Sequence, residues 1–290
     1  MSADPSPLTA DRVAAGLATR TLGRAFEWHA TCGSTSDLAA ERARAGAPAG
    51  LVIAADTQTA GRGRLGRSWH SPAGENLTFS LVLRPARPAA EIPPLTLLAG
   101  AAVARAVEAL GLAPRLKWPN DVQLVDDLTS GPSKGPEPPA MSSARQSRAP
   151  LDAIAHHRRK LAGVLTEMAS AGERVEHVVV GIGINVNATS FPAELADRAT
   201  SLRVALARPV DRAQVLAGVL NAFEPLYDDF ERRGPAGAVA AFGAYAALPE
   251  RCRVDDRLQG VALGVDPDGA LRLRDDAGRI HRVISGEIQP

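Results

Sequence analysis

Polar and apolar positions along this chain follow two kinds of pattern, and together they predict a mixed α/β fold. Amphipathic or alanine-rich segments predict helices at 8–24, 34–46, 95–110, 212–232 and 236–246. Continuous or alternating apolar segments predict strands at 51–58, 76–84, 116–125, 161–169 and 175–186. The helix at 34–46 also has capping side chains in STSD at its start and Gly46 at its end.

The pattern changes after Leu248, where short strands alternate with turn sequences. The strands are CRV, VALGVD, ALRLRD and RIHRVIS, and the turns between them include DPDG and DDAG. This arrangement predicts a small antiparallel barrel of about 45 residues. We therefore expect a larger domain at 1–246 and a small β domain at 247–290.

A segment of different composition, 127–157, interrupts the larger domain. It holds five prolines, five serines and two glycines, with few large apolar side chains. Ordering such a segment would bury little apolar surface in return for the lost backbone entropy. Because strands are predicted on both sides of it, we expect a disordered insertion that lengthens the loop of a β-hairpin.

Composition and charge narrow the possible function classes. The 290 residues carry a formal net charge of +1, so no overall field draws the protein to nucleic acid or to a membrane. The helix at 8–24 is too small for a separate helix-turn-helix domain, which disfavours sequence-specific DNA binding. Apolar runs such as VVVGIGINV are about half of the roughly 20 residues that span a bilayer.

Two further features favour a cytoplasmic protein. The N-terminal MSADPSPLTADR lacks the basic segment and apolar run of a signal peptide. Cys32 and Cys252 lie far apart and match no metal-ligand spacing, which argues against a disulfide framework or a zinc site.

The loop GRGRLGR, at 61–67, is the most informative segment for function. It places three arginines and three glycines directly after a predicted buried strand. Glycines let the backbone approach a ligand, and guanidinium groups bind phosphate or carboxylate through paired hydrogen bonds, so the loop predicts an anionic ligand. It also spells G-x-G-x-x-G, but Pro72 and Gly74 follow where that dinucleotide motif needs a helix. A solvent-exposed basic turn remains an alternative for the loop taken alone.

Three other segments carry candidate chemistry, each beside a purely structural alternative. KWPND at 117–121 presents polar side chains around a Trp-Pro step, either as a site or as a structural turn. Lys160 begins the strand KLAGVLTE, where a lone lysine is usually just solvated. GIGINVN at 181–187 lets backbone lie against a ligand, or marks a tightly packed central strand.

Taken together and in this order, GRGRLGR, KWPND, KLAGVLTE and GIGINVN resemble the biotin protein ligase family. The resemblance spans about 31–187, and the C-terminal segment that ends in SGEIQ is similar to the family's small barrel. It implies a mixed β-sheet catalytic domain packed with helices, followed by an SH3-like β-barrel, in a form without the N-terminal DNA-binding domain.

The same resemblance implies the biotin-binding residues. A urea ring offers one strong acceptor and two donors, which hydroxyls and an amide in an apolar pocket can satisfy. Ser36 stands where the family often has asparagine, which leaves one contact in doubt. The implied biotin-binding set is Ser34, Thr35, Ser36, Gln58, Arg62, Gly63, Arg64, Lys160 and Gly163.

The resemblance also implies the reaction and its partners. ATP, with Mg²⁺ on its phosphates, converts biotin to biotinyl-AMP, and a lysine of a biotin carboxyl carrier domain of a carboxylase then accepts the biotinyl group. Catalysis is assigned to Lys160, Asp121 and Arg64, with Asp121 as the group that orients or deprotonates the acceptor lysine. The implied ATP-binding residues are Arg67, Trp69, Lys117, Asn120, Lys160 and Asn185.

Three alternative functions stay open at this point. A lipoate or octanoate ligase shares the architecture, but its long acyl chain offers no ureido ring to match the polar groups proposed for biotin. A biotin-sensing regulator would need a DNA-binding domain. A binding protein without catalysis would not need both Lys160 and Asp121.

Overall fold

The computed structural model describes residues 8–125, 158–255 and 257–289, so the predicted insertion at 127–157 lies outside the described residues. The helices are α1 (Ala10–Gly16), α2 (Thr35–Arg44), α3 (Leu95–Glu108), α4 (Leu202–Leu206), α5 (Arg212–Arg233) and α6 (Ala236–Gly243). The strands of the large sheet are β1 (Phe26–Cys32), β2 (Val52–Gln58), β3 (Leu77–Leu83), β4 (Pro114–Lys117), β5 (Asp121–Val125), β6 (Arg158–Ala171) and β7 (Arg174–Ile184). The C-terminal strands are β8 (Arg251–Val254), β9 (Leu258–Val265), β10 (Leu271–Arg274), β11 (Ile280–Val283) and β12 (Ile288–Gln289).

The large sheet is mixed, as the sequence predicts. Its order is β1-β2-β3-β7-β6-β5-β4, with β1 and β2 parallel and every other neighbouring pair antiparallel. Strands β5 and β6 pair directly across the undescribed segment, which confirms the predicted hairpin topology.

Helices cover both faces of this sheet, and side-chain alternation decides which residues face which layer. Phe79 and Leu81 of β3 pack into the main core with α3 and α5. Val82 of β3 and Val179 of β7 instead pack against Ala39 and Ala43 of α2. Because alternate residues of a strand point the same way, every second residue of β3 and β7 faces the α2 side, where the candidate site lies.

Three local predictions differ from the structure, and the elements β1, α4 and β12 were not predicted. The first helix covers only Ala10–Gly16 instead of 8–24. The predicted strand at 116–125 is a tight β4–β5 hairpin, because the chain reverses at Trp118–Pro119, a cis peptide. Strand β12 has two residues, too few for a sequence pattern to predict. Strand β6 begins at Arg158 and runs to Ala171, several residues longer than expected.

The C-terminal strands form a five-stranded antiparallel sheet, in the order β11-β10-β9-β8-β12. Cys252, Leu271 and Ile288 are buried in the same apolar cluster as the large sheet. Trp118 also links the large sheet to the C-terminal sheet, because its indole Nε1 donates a hydrogen bond to the Gly269 carbonyl at 2.9 Å. The fold class is confirmed, while the domain boundary between 246 and 247 stays a prediction.

One helical stretch corrects the expectation that no apolar run approaches membrane-spanning length. Ala89–Glu108 has 20 residues with a mean hydropathy of 1.3, which is long and apolar enough to cross a bilayer. In the structure 67% of the most apolar 18-residue segment of this stretch is buried against the rest of the protein, as in the core helix of a globular protein.

A buried carboxylate on α5, that of Glu224, accepts hydrogen bonds from the segment that precedes β1 and holds it against the helix. Glu224 is 6% exposed and accepts hydrogen bonds from the backbone N–H groups of Arg20, Thr21 and Leu22 at 2.7, 2.8 and 3.0 Å. Burial acts to raise the pKa of the Glu224 carboxyl, but the three N–H donors outweigh it and the pKa lies below its ordinary value. The carboxylate therefore stabilises the native state when it is ionised.

Replacing Glu224 with glutamine is expected to cost about 1–3 kcal/mol of unfolding free energy near pH 7, because one acceptor becomes an NH₂ group. A depressed native pKa contributes stability above the unfolded glutamate pKa of about 4.3, and that stability is lost as the pH falls through the native value. Urea unfolding near pH 7 and near pH 3.5 should therefore give a smaller difference between the two proteins at the lower pH. Equal differences at both values would contradict this role for the charge.

Candidate active site

An open cavity lies on the α2 side of the large sheet, and it gathers all nine residues predicted to bind biotin. They come from the start of α2, the end of β2, the arginine loop and strand β6. The shared lining consists of Ser34, Thr35, Ser36, Gln58, Arg62, Gly63, Arg64, Lys160 and Gly163. Trp69 and Asn120, predicted for ATP, line the same cavity.

The polar end of the cavity is built where α2 begins. The Ser34 hydroxyl accepts the Asp37 N–H at 3.4 Å and so caps the helix, as the sequence predicts. Parallel pairing of β1 with β2 places Cys32 opposite Gln58, which brings the Gln58 amide beside the first helical turn. Gln58 Oε1 then accepts the backbone N–H of Thr35 at 2.7 Å and lies 3.1 Å from its hydroxyl.

The arginine loop is a tight turn with no α-helix after it. The Gly63 N–H donates to the Arg67 carbonyl at 2.6 Å, and Arg64–Gly66 forms a single 3₁₀ turn. Leu65 and Gly66 have φ values of 57° and 73°, the left-handed region that Gly66 enters easily. A dinucleotide-binding motif would be followed by an α-helix at this point, so the structure agrees with the prediction that G-x-G-x-x-G is not such a motif here.

Arg62 and Arg64 of the arginine loop contact different partners. Arg62 Nη2 contacts Asp37 Oδ1 at 2.7 Å and Glu167 Oε2 at 2.9 Å at the rim of the cavity. Arg64 reaches inward and donates to Asn120 Oδ1 at 3.0 Å. Burial lowers the pKa of the Arg64 guanidinium, although a guanidinium remains charged at neutral pH.

At the other end of the cavity, the lining residue Lys160 forms an ion pair with Asp121, which lies beside the cavity and is not one of its lining residues. Lys160 Nζ lies 2.7 Å from Asp121 Oδ1, and its side chain is 35% exposed. The same ammonium is 5.7 Å from the centre of the Trp69 ring, within the range of a cation–π contact. A positive charge, a carboxylate and an aromatic face are thus brought together on adjacent elements.

Glycines on β6 and β7 leave room for the side chains of Trp69 and Ser36 to pack directly on the sheet. A Cβ on Gly183 would lie 2.3 Å from Cε2 of the Trp69 ring, and one on Gly163 would lie 3.3 Å from the same ring. A Cβ on Gly181 would lie 2.7 Å from Ser36 Oγ. The glycines of GIGINVN therefore admit Trp69 and Ser36, which are part of the cavity wall.

Three residues predicted for ATP do not line the cavity. Arg67 and Lys117 lie just outside it and share one carboxylate, Glu287, at 3.1 and 3.8 Å. Asn185 is buried, and its amide donates to the Thr200 carbonyl at 3.0 Å while Asn76 Nδ2 approaches its Oδ1 at 3.4 Å.

Sequence reasoning missed two residues that the fold brings to the site. Glu287 lies in the C-terminal SGEIQ segment, and the neighbouring Gly286 carbonyl lies 3.4 Å from Arg64 Nη1. Ser80 of β3 is completely buried behind Thr35 and Ser36. A serine within the apolar run of NLTFSLVLR is a usable signal for Ser80, but nothing local points to Glu287.

Comparison with known families matches both parts of the chain. The model of the biotin/lipoate A/B protein ligase family matches residues 30–185. A second model, the biotin protein ligase C-terminal domain, matches residues 250–289.

Individual relatives cover nearly the whole chain. The sequence is 36% identical to the bifunctional ligase/repressor BirA of Bacillus subtilis, over 98% of this chain and 80% of that protein. It is 32% identical to a biotin–[acetyl-CoA-carboxylase] ligase of Mycobacterium tuberculosis, over 89% and 86%. The biotin protein ligase of Aquifex aeolicus in complex with biotin and ATP superimposes with a TM-score of 0.70 and 27% identity, over 92% and 98%.

Proposed function

Because this chain belongs to the biotin/lipoate A/B protein ligase family, we propose that it joins biotin to a lysine of a carrier protein at the expense of ATP. The reaction has two steps: biotin and ATP give biotinyl-AMP and pyrophosphate, and the biotinyl group then passes to the acceptor lysine. One observation carries the proposal. A single cavity is lined by hydroxyl and amide groups at one end and at the other by Lys160, which is ion-paired with Asp121 beside the cavity.

The polar end suits the ureido ring of biotin. Thr35 and Gln58 offer an acceptor and an amide donor, which complement the two N–H groups and the carbonyl of a urea. Leu165, which pairs with Gly181 on the α2 side of the sheet, and the Trp69 ring give the cavity apolar surface for the rest of the ligand.

Lys160 suits the carboxylate end of biotin and the α-phosphate of ATP. In adenylation the carboxylate oxygen attacks the α-phosphorus, a new P–O bond forms, and the bond to pyrophosphate breaks. Negative charge gathers on the phosphoryl oxygens, and a fixed ammonium and guanidinium offset it. Lys160 and Arg64 both line the cavity and supply these two cations.

The arginine loop has a second role in this proposal. Biotinyl-AMP is a mixed anhydride that water hydrolyses, so a loop that lies over it protects the intermediate. Arg62 and Gly63 belong to this loop and already line the cavity.

ATP is placed on the Trp69 side of the cavity. Trp69 Nε1 is buried and has no acceptor among the residues the structure describes, so it can donate to the nucleotide. Arg67 and Lys117 can reach the phosphates, although a triphosphate must then compete with Glu287 for both cations. Mg²⁺ is proposed to bind together with ATP, on its phosphates. The contacts of Asn120 and Asn185 with the nucleotide remain predictions.

Asp121 is the proposed group for the transfer step. A free lysine ammonium titrates at about pH 10.4 and must lose a proton before its nitrogen attacks the biotinyl carbonyl. Asp121 is held at the cavity by Lys160 and is 20% exposed, so a lysine that enters from solvent can reach it.

The Asp121 assignment is tested by separating the two steps. Asp121→Asn is expected to slow transfer from preformed biotinyl-AMP on the order of 10²-fold, because the amide cannot accept a proton. Single-turnover transfer to a purified biotin carboxyl carrier domain, followed by mass, measures this step without adenylation. Transfer at the wild-type rate would remove Asp121 from the second step. Asp276→Asn, in the exposed pair with Arg251 on the C-terminal sheet, is the matched control.

The acceptor is proposed to be a biotin carboxyl carrier domain of a carboxylase, and the protein is proposed to act in the cytoplasm. The M. tuberculosis relative is named for acetyl-CoA carboxylase, which supports this acceptor class. A lipoate ligase is the alternative within the same family, and the polar end of the cavity favours biotin because a linear acyl chain cannot satisfy it.

A further inference from the structure

Ser80 occupies a position that the proposed reaction does not use directly. It lies on β3 facing α2, is 0% exposed, and does not line the cavity. Its hydroxyl oxygen is 2.9 Å from the Thr35 hydroxyl and 3.1 Å from the Ser36 hydroxyl. Ser80 therefore joins two residues of the cavity wall from behind.

The direction of each hydrogen bond follows from counting protons. Gln58 Oε1 accepts the backbone N–H of Thr35, and a backbone N–H can only donate, so this Gln58 atom must be the amide oxygen. The Thr35 hydroxyl, 3.1 Å from the same oxygen, must then donate its single proton to it.

The remaining two bonds are fixed in turn. Because the Thr35 proton is used, Ser80 must donate to Thr35 Oγ1. Because the Ser80 proton is then used, Ser36 must donate to Ser80 Oγ. The result is a one-way chain of hydroxyl donors that runs from Ser36 through Ser80 and Thr35 to Gln58.

This chain decides what the cavity can recognise. Thr35 Oγ1 has no proton left for a ligand and keeps one free lone pair, so it is an acceptor for a ligand N–H. The Gln58 oxygen is already bonded twice, so its Nε2 group is left to donate to a ligand oxygen. One acceptor and one donor side by side match the N–H and the carbonyl of a urea.

We infer that Ser80 is a positioning residue for biotin specificity: it fixes Thr35 Oγ1 as an acceptor, and Ser36 serves as the first donor of the chain. This rests on the proposed function, since it presumes that the ureido ring lies at Thr35 and Gln58. It assigns Ser36 a role as donor to Ser80, for which Gly181 leaves the room.

Calorimetric titration with biotin tests the inference with four variants at Ser80 and Ser36 and one control variant. Ser80→Ala should weaken biotin binding roughly 5- to 30-fold, and Ser80→Cys, which keeps the volume and a weak donor, should lose less. The KM for ATP should not change in either variant. Ser201→Ala is the matched control, because it removes an equally buried hydroxyl that donates to the Ala188 carbonyl outside the cavity.

The chain itself predicts non-additivity. Ser36→Ala should cost less than Ser80→Ala, and the double variant should bind no more weakly than Ser80→Ala alone, because Ser36 acts through Ser80. Additive losses, or a Ser80→Cys protein that binds biotin as tightly as the wild type while Ser36→Ala does not, would overturn the inference. An unmodified protein that binds no biotin would reject the proposed function itself, which is a separate outcome.

Discussion

Replacing Lys160 with glutamine is expected to slow biotinyl-AMP formation on the order of 10²- to 10³-fold, the usual cost of removing one fixed charge-stabilising donor. The side chain keeps most of its length but loses the charge that lies beside Asp121 and above the Trp69 ring. Because this charge is proposed to offset the phosphoryl oxygens as pyrophosphate leaves, the loss should appear mainly in kcat. Pyrophosphate release at saturating biotin and ATP measures it.

Arg158→Gln is the matched control for this prediction. Arg158 begins the same strand, two residues earlier, and is exposed, with Nη1 3.3 Å from the Ala247 carbonyl. It also loses one positive charge, so a general charge effect would slow both variants. A Lys160→Gln protein that keeps kcat within a factor of about 3 would contradict the role given to the ammonium.

Gly183→Ala is expected to reduce ligase activity by about 10²-fold, although it adds only one methyl group. The new Cβ would lie 2.3–2.7 Å from three atoms of the Trp69 indole, and contact at this distance forces the ring or the strand to move. The KM for ATP should rise together with the loss in kcat, because Trp69 is placed on the nucleotide side. Steady-state kinetics with each substrate varied separately would show this.

Gly243→Ala provides the comparison, because nothing lies within 4 Å of its added Cβ. Thermal unfolding of both variants separates displacement of Trp69 from a loss of folding. A Gly183→Ala protein with wild-type kinetics would mean that the ring can shift without consequence, and the placement of Trp69 in the ATP site would then be wrong.

Local patterns were sufficient for much of the fold. The capped helix α2 and the strand β2 follow from STSD, Gly46 and the apolar run before the arginine loop. The β4–β5 hairpin was not predicted because apolar positions alternate on both sides of KWPND as in one strand, although a structural turn at KWPND was one of the two alternatives. The sequence motifs supply most of the residues that line the cavity, since each motif is contiguous in sequence.

The parts that escaped prediction depend on long-range contacts. Glu287 lies 220 positions after Arg67, and only the packing of the C-terminal sheet brings the two side chains to 3.1 Å. Ser80 looked like one polar residue in an apolar strand, and its bonds to Thr35 and Ser36 arise only when β3 lies beneath α2. Periodicity and motifs carry no information about such pairs.

The most direct test of the central claim is to incubate the purified protein with ATP, Mg²⁺ and either biotin or lipoate, and to identify the acyl-AMP by mass. Biotinyl-AMP from biotin, with no lipoyl-AMP from lipoate, is the result that the cavity predicts. Lipoyl-AMP, or no adenylate from either acid, would contradict it and show that the hydroxyl and amide end of the cavity does not recognise a ureido ring.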